Sequence, residues 1–359
     1  MKMTFRWFGS NYDHIPLRYI RQIPGVTGVI STLYDKMPGD LWTYEEIMEL
    51  KKEVESSGLE LAGIESVNIH DAIKVGSEDR EKYIDTYIQT LENLGKADIH
   101  MVCYNFMPVF DWTRTELARK RKDGSTVMAY TQDAINRIDP SNIFESLSKE
   151  MNGTIMPGWE PERMEKIKDL FAMYSEITAE TLFDNLVYFL EKIMPVCDKY
   201  DIHMAIHPDD PAWSVFGLPR IINNKPNILR LMEAVPNKHN GVTFCTGSFG
   251  TKLNNDLVDM IYALKGRIHF AHIRNLEFHS QDDFEESAHL SSDGSFDMYA
   301  ILFALYDSGF DGLIRPDHGR CIWDEKGMPG YGLYDRALGA TYLQGLWEAI
   351  DKSKEEEAK

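Results

Sequence analysis

Four strand-like apolar runs in the second half of the chain each end on a residue able to bind a metal. They are His207 in IHMAIHPDDP, Cys245 in GVTFCTGS, His272 in RIHFAHIRN and Asp317 in GLIRPDHGR. Taken singly each is weak, since a lone buried cysteine usually behaves as a small hydrophobe. The recurrence at equivalent positions is the signal. Two imidazoles, a thiolate and a carboxylate suit a transition metal such as manganese, iron or zinc, and do not suit magnesium or calcium. On zinc, four protein ligands would resemble a closed structural site. A five- or six-coordinate manganese or iron would leave room for a substrate.

Asp317 is followed by His318, and neighbours on a regular strand point to opposite faces. Pro316 and Gly319 suggest irregular backbone here. With the strand ended, both side chains face the site, and His318 becomes a proton-transfer group rather than a fifth ligand. Tyr331, in the glycine-flanked PGYGLY loop, is expected to reach the same rim or else to pack on its edge. Arg6, Glu65, Asn105, Arg274 and Asn275 also fall at strand ends and are candidate substrate-binding residues. Arginines there point to an anionic substrate, because guanidinium matches a carboxylate bidentately.

What must position these residues is a repeating frame. Eight short apolar runs are expected as strands: 3–9, 25–31, 59–66, 99–106, 202–207, 241–247, 267–274 and 313–316. Nearly all are followed by a helical pattern. Thr43 and Glu46 form a capping box for a helix that runs to Gly58. Strands alternating with helices mean a parallel sheet, and eight repeats favour an α/β (β/α)8 TIM barrel, whose active site lies at the C-terminal strand ends. His203, Ala205 and His207 then share one face, while Met204 and Ile206 face the helices. No GxGxxG or Walker-type loop follows any strand. The rhythm breaks over 108–175, a long polar stretch with helix-like pieces at 142–151 and 161–174 and no clean strand. It reads as an insertion within a single 1–359 domain, lid-like over the site or else a surface contact. The loop after the seventh strand reads as polar and acidic.

The chain has 359 residues, 43% of them hydrophobic, which is ample for a core, and a net charge of −19. Such a charge disfavours nucleic acid and anionic membranes as partners. The densest basic run, RKRK at 119–122, reads as a solvated loop face. Four cysteines form no C-x-x-C pair, which fits reduced thiols and a cytoplasmic location. The N-terminus lacks a signal pattern, no apolar run is long enough to span a bilayer, and the sequon at Asn152 reads as incidental.

Several stretches together resemble the mannonate dehydratase family: MTFRWFG, GIESVNIHDAIK, VCYNFMPVFDWTRT, AIHPDDPAW, TFCTGS, HFAHIRN, and RPDHGR followed by GYGLYDRALG. The resemblance implies conversion of D-mannonate to 2-keto-3-deoxy-D-gluconate and water in hexuronate breakdown, with Mn2+ or Fe2+ as cofactor. It implies His207, Cys245, His272 and Asp317 as the metal ligands, the set reached above, and His318 and Tyr331 as the proton-transfer groups. Tyr334, three residues on, leaves the tyrosine less firmly placed. A homodimer is expected. The competing readings are a metal-dependent aldose–ketose isomerase, whose carboxylate-rich sites Cys245 argues against, and a non-catalytic sugar-acid binding protein with a structural metal.

Overall fold

The computed structural model describes residues 1–138 and 166–357. Twelve strands occur among them: β1 Lys2–Arg6, β2 Gly28–Ser31, β3 Glu60–Glu65, β4 Met101–Tyr104, β5 Glu116–Lys120, β6 Thr126–Thr131, β7 His203–Ile206, β8 Asn240–Cys245, β9 Ile268–Ile273, β10 Leu276–Ser280, β11 Asp283–Glu286 and β12 Leu313–Pro316. Eight of them close a parallel barrel in the order β1-β12-β9-β8-β7-β4-β3-β2. All eight correspond to the strands expected from the sequence: β12 has the expected bounds, and the others differ from them by up to three residues at an end.

Alternation along each strand divides the core into two layers. Ile30, Met101, Cys103, Ala205 and Phe270 fill the inside of the barrel. Met204, Ile206, Val242, Phe244 and Ala271 face outward into one large cluster with the helices, including Leu186, Phe189 and Ile193 of the Ala179–Tyr200 helix. That helix is capped by Thr178 and ends at Asp201, whose φ of 52° is left-handed, a conformation that aspartate tolerates better than most residues. The capping box of Thr43 and Glu46 is present at the Tyr44–Ser56 helix.

The 108–175 stretch departs from expectation in its described part. It contributes β5 and β6, which join β10 and β11 in a second, antiparallel sheet of order β10-β11-β6-β5. The alternation is masked in β5 by charges and in β6 by burial of four consecutive residues, Val127 to Tyr130. The loop after β9, which reads as merely polar, supplies the other two strands. The RKRK run is likewise corrected in part. Arg119 pairs with Glu116 and Asp283, and Arg121 with Glu285, Asp293 and Glu277, so the two arginines are stitched into this sheet, while Lys120 and Lys122 stay exposed as expected. Of the two helical pieces, the first and the beginning of the second lie outside the described residues; Ile167–Tyr174 is a helix.

Candidate active site

The C-terminal strand ends open into a cleft of about 820 Å³, its mouth included. Ligand-capable atoms of His207, Cys245 and His272 lie within 4.8 Å of one another. The β8–β9 register sets Cys245 opposite His272, and β12 ends at Pro316, so that both Asp317 and His318 turn inward. Asp317 Oδ2 lies 3.5 Å from Cys245 Sγ.

The surroundings of each atom fit a ligand. His207 Nδ1 lies 2.8 Å from the Pro208 carbonyl. A carbonyl only accepts, so Nδ1 carries the proton and Nε2 presents its lone pair. Burial holds the His207 imidazole below its usual range, against the pull of Asp317 and Glu65. Cys245 caps the Thr246–Gly250 helix, its sulfur accepting from the Ser248 N–H and Oγ–H at 3.4 and 3.1 Å. His272 Nε2 is buried without a hydrogen-bond partner, with Glu65 Oε2 3.5 Å away, and an orphaned buried polar atom of this kind calls for an explanation such as an ion. Burial would push the Asp317 carboxyl up, but Arg315, His318 and Arg274 outweigh it and hold it well below its ordinary value.

A second set, Glu65, Cys103 and His272, is equally compact but chemically less suited. Burial and the neighbouring Glu65 push the Cys103 thiol well up, which keeps it protonated, and Glu65 is committed to Arg315 at 3.0 Å.

Around the ligands the charges interlock. Arg274 reaches Asp210 at 2.6 Å, Glu286 at 2.5 Å and Asp317 at 3.2 Å. Arg114 meets Asp210 at 2.8 Å and Glu286 at 2.9 Å. Arg315 meets Asp317 at 2.9 Å. Arg274 Nη1 also lies 2.7 Å from His318 Nδ1. Guanidinium only donates, so Nδ1 accepts in this contact, which is shorter than the 3.3 Å from Nδ1 to Glu286 Oε1, and the His318 proton is placed on Nε2. That atom lies 2.9 Å from the Tyr331 hydroxyl. Burial pushes the Tyr331 phenol up, so it keeps its proton.

Of the remaining candidates, Arg6, Glu65, Asn105 and Arg274 line the cleft. Arg6 donates to the backbone of Trp7 and Ile30. Among the described residues no carboxylate lies within ion-pair distance of it. Arg274 is fully buried in the network above and serves as its centre. Asn275 is not brought into the cleft. Its side chain accepts from the N–H groups of Leu276 and Phe296 and donates to the Leu290 carbonyl. Tyr334 is exposed and stacks near Trp323.

The sequence reading missed Asp210, Arg315, Arg114 and Glu286. The first two stand inside the motifs IHPDDP and RPDHGR and carried a signal. Arg114 and Glu286 come from the second sheet's strands and loops, where nothing in local pattern marks them.

A parallel eight-stranded barrel that gathers His207, Cys245, His272 and Asp317 at its C-terminal mouth has the fold of the xylose-isomerase-like TIM barrels. Solved structures agree on the fold: a xylose isomerase domain protein from Planctomyces limnophilus is 12% identical and superposes with a TM-score of 0.57, covering 98% of this chain and 99% of its own. A family model described as D-mannonate dehydratase (UxuA) matches residues 1–357. The mannonate dehydratase of Brachyspira hyodysenteriae is 62% identical over 98% of this chain and 99% of its own length. That of Thermotoga maritima is 52% identical over 99% of both. The crystal structure of mannonate dehydratase from Streptococcus suis serotype 2 has a TM-score of 0.89 at 41% identity, covering 99% of this chain and 96% of that one. The chain belongs to the mannonate dehydratase family, whose members are hydro-lyases.

Proposed function

We propose that the chain dehydrates D-mannonate to 2-keto-3-deoxy-D-gluconate. In this reading His207, Cys245, His272 and Asp317 hold Mn2+ or Fe2+, and His318 with Tyr331 moves the protons. The observation that carries it is the 2.9 Å contact between His318 Nε2 and the Tyr331 hydroxyl beside the four converging ligands. When bound, the metal supplies Lewis acidity that stabilises charge building on the substrate carboxylate.

The chain's own residues do the rest. The reaction removes a proton from the carbon next to the carboxylate and a hydroxyl from the following carbon; the hydroxyl leaves as water once it has taken up a proton. His318 and Tyr331 are hydrogen-bonded to each other, so a proton gained at one is exchangeable with the other. The lone pair on His318 Nδ1 is held by Arg274, which keeps the mobile proton on Nε2, facing Tyr331. Arg6, a buried guanidinium at the cleft wall, is suited to the substrate carboxylate. The 108–175 insertion partly covers the sugar acid: Asp111 and Trp112 line the cleft, and Val109 and Phe110 pack in one cluster with Tyr331 and Phe8. The four cysteines are all unpaired, which supports a reducing cytoplasmic setting. The expected homodimer is tested by light scattering. Among the described residues no helix is long and apolar enough to cross a membrane.

The experiment is turnover of D-mannonate by chelator-stripped protein reloaded with Mn2+, Fe2+ or Mg2+, beside Cys245→Ala and Tyr331→Phe. Product with Mn2+ or Fe2+, none in Cys245→Ala and a loss of about 10²–10⁴-fold in Tyr331→Phe is the expected result. Full activity of Cys245→Ala removes the thiolate from the ligand set, and full activity of Tyr331→Phe removes the tyrosine from proton transfer.

A further inference from the structure

A second group of ligand-capable side chains lies at the opposite end of the barrel. Asp201, His203 and His239 each present an atom within 4.8 Å of the others. His203 opens β7, and His207 follows that strand's end, so four residues at about 3.3 Å each put this group about 13 Å from the catalytic cleft. Three local features position it. The left-handed turn at Asp201 ends the long helix and turns its carboxylate towards β8. His239, 1% exposed, precedes β8. His269 of β9 packs edge-on against His203, with ring centroids 4.6 Å apart, and leaves no room for a Cβ at Gly241.

The hydrogen bonding here is incomplete in a specific way. His239 Nδ1 lies 2.9 Å from Asp198 Oδ1, and its Nε2 lies 2.8 Å from Asp201 Oδ1. Both partners are carboxylates, and neutral imidazole has one N–H. One contact is a hydrogen bond; the other sets a lone pair against a carboxylate oxygen unless a second proton or a cation stands between them. Asp198 is itself fixed by Asn237 and so is suited to accept from Nδ1. That leaves Nε2 facing Asp201, as in the carboxylate–histidine–metal arrangement. His203 Nε2 lies 3.9 Å from the same Asp201 oxygen, and its buried Nδ1 has no hydrogen-bond partner. The exposed Lys238 ammonium, 3.6 Å from that oxygen, is the competing cation.

We propose that Asp201, His203 and His239 bind a divalent transition metal of the zinc class, separate from the catalytic ion. Two imidazoles and one carboxylate suit zinc. Its tetrahedral ligands sit about 2.0–2.2 Å from the ion and so roughly 3.4 Å from one another; His239 Nε2 and Asp201 must therefore open from 2.8 Å, and His203 must close on Asp201 from 3.9 Å. The exposed Asp201 carboxylate and the half-buried His203 ring have the freedom to do this. The ion ties the end of the Ala179–Tyr200 helix to the entries of β7 and β8, and it leaves a coordination position open to water.

The test is zinc content of the full chain, stripped with chelator, dialysed against Zn2+ at neutral pH and analysed for bound metal. Wild type is expected to retain one ion more per chain than Asp201→Asn, which keeps the left-handed turn, or His203→Gln. Turnover of D-mannonate by both variants with Mn2+ stays unchanged. A His207→Ala/Cys245→Ala chain, lacking the catalytic set, still retains one ion, and Zn2+ raises its melting temperature. Equal zinc in wild type and both single variants overturns the proposal. So does a folded His207→Ala/Cys245→Ala chain that binds none.

Discussion

The two mouths of the barrel solve the same problem, polar groups at strand ends, in opposite ways. At the C-terminal mouth three buried carboxylates meet arginines. Asp210, Glu286 and Asp317 face Arg114, Arg274 and Arg315, and all three acids are held below their ordinary range by those neighbours despite burial. At the N-terminal mouth His203, His239 and His269 crowd together with Arg267 and Lys238 nearby. Among the described residues the only carboxylates in contact, Asp198 and Asp201, are more than half exposed. One mouth is a closed lattice of matched charge. The other is an under-compensated imidazole cluster with capacity for a cation. Matched ions tolerate burial because each supplies the other's lost hydration, whereas imidazole tolerates it by staying neutral.

The sharpest way to break this comparison is to remove one ion from the lattice. Arg114→Leu leaves Asp210 and Glu286, both buried, short of a partner. Breaking such a pair costs about 3–5 kcal/mol, read as a fall in the urea midpoint. A loss below about 1 kcal/mol would mean that the lattice is looser than its distances imply. The same substitution also cuts the insertion's ionic tie to the site, so activity should fall with it.

A smaller effect tests positioning. Glu286→Gln keeps the shape of the side chain but weakens its hold on Arg274 and, through it, on His318. Residues that orient site groups in this way are worth about 10–100-fold in activity. The drop should fall on kcat with little change in KM. An unchanged kcat would assign Glu286 a purely structural role.

The smallest effect belongs to the other mouth. Burial, with His203, Arg267 and His239 adding to it, lowers the His269 imidazole from its ordinary 6.5 to about 3. Between those values the unfolded chain binds more protons than the folded one, so stability rises with pH. The contribution is complete above pH 6.5 and is lost progressively as pH falls towards 3. His207 and His289 shift in the same direction, so His269→Gln should reduce the loss of stability between pH 7 and 5 without abolishing it. An unchanged slope would show that His269 is not buried neutral. The carboxylate lattice contributes nothing in that window, because its depressed acids stay ionised there.

Much of this was legible in the chain. The eight strands announce themselves through short apolar runs between helical patterns, and His207, Cys245, His272 and Asp317 each stand at a run's end, because strand periodicity and strand termini are local properties. The inward turn of both Asp317 and His318 was also legible, since Pro316 and Gly319 mark where regular backbone stops. The second sheet was not. β5 pairs with β6 and β10 with β11 as two local hairpins, and these join into one sheet only through β6 and β11, a pairing across some 150 residues that no short window of sequence contains. Arg114, Glu286 and the N-terminal imidazole cluster share that obscurity. An arginine next to threonines, a glutamate in an acidic loop and histidines at three separate strand starts look ordinary until the barrel closes. Local pattern determined which residues were available at each strand end. Only closure of the barrel decided which of them meet, because contact between charges depends on distances that chain separation does not encode.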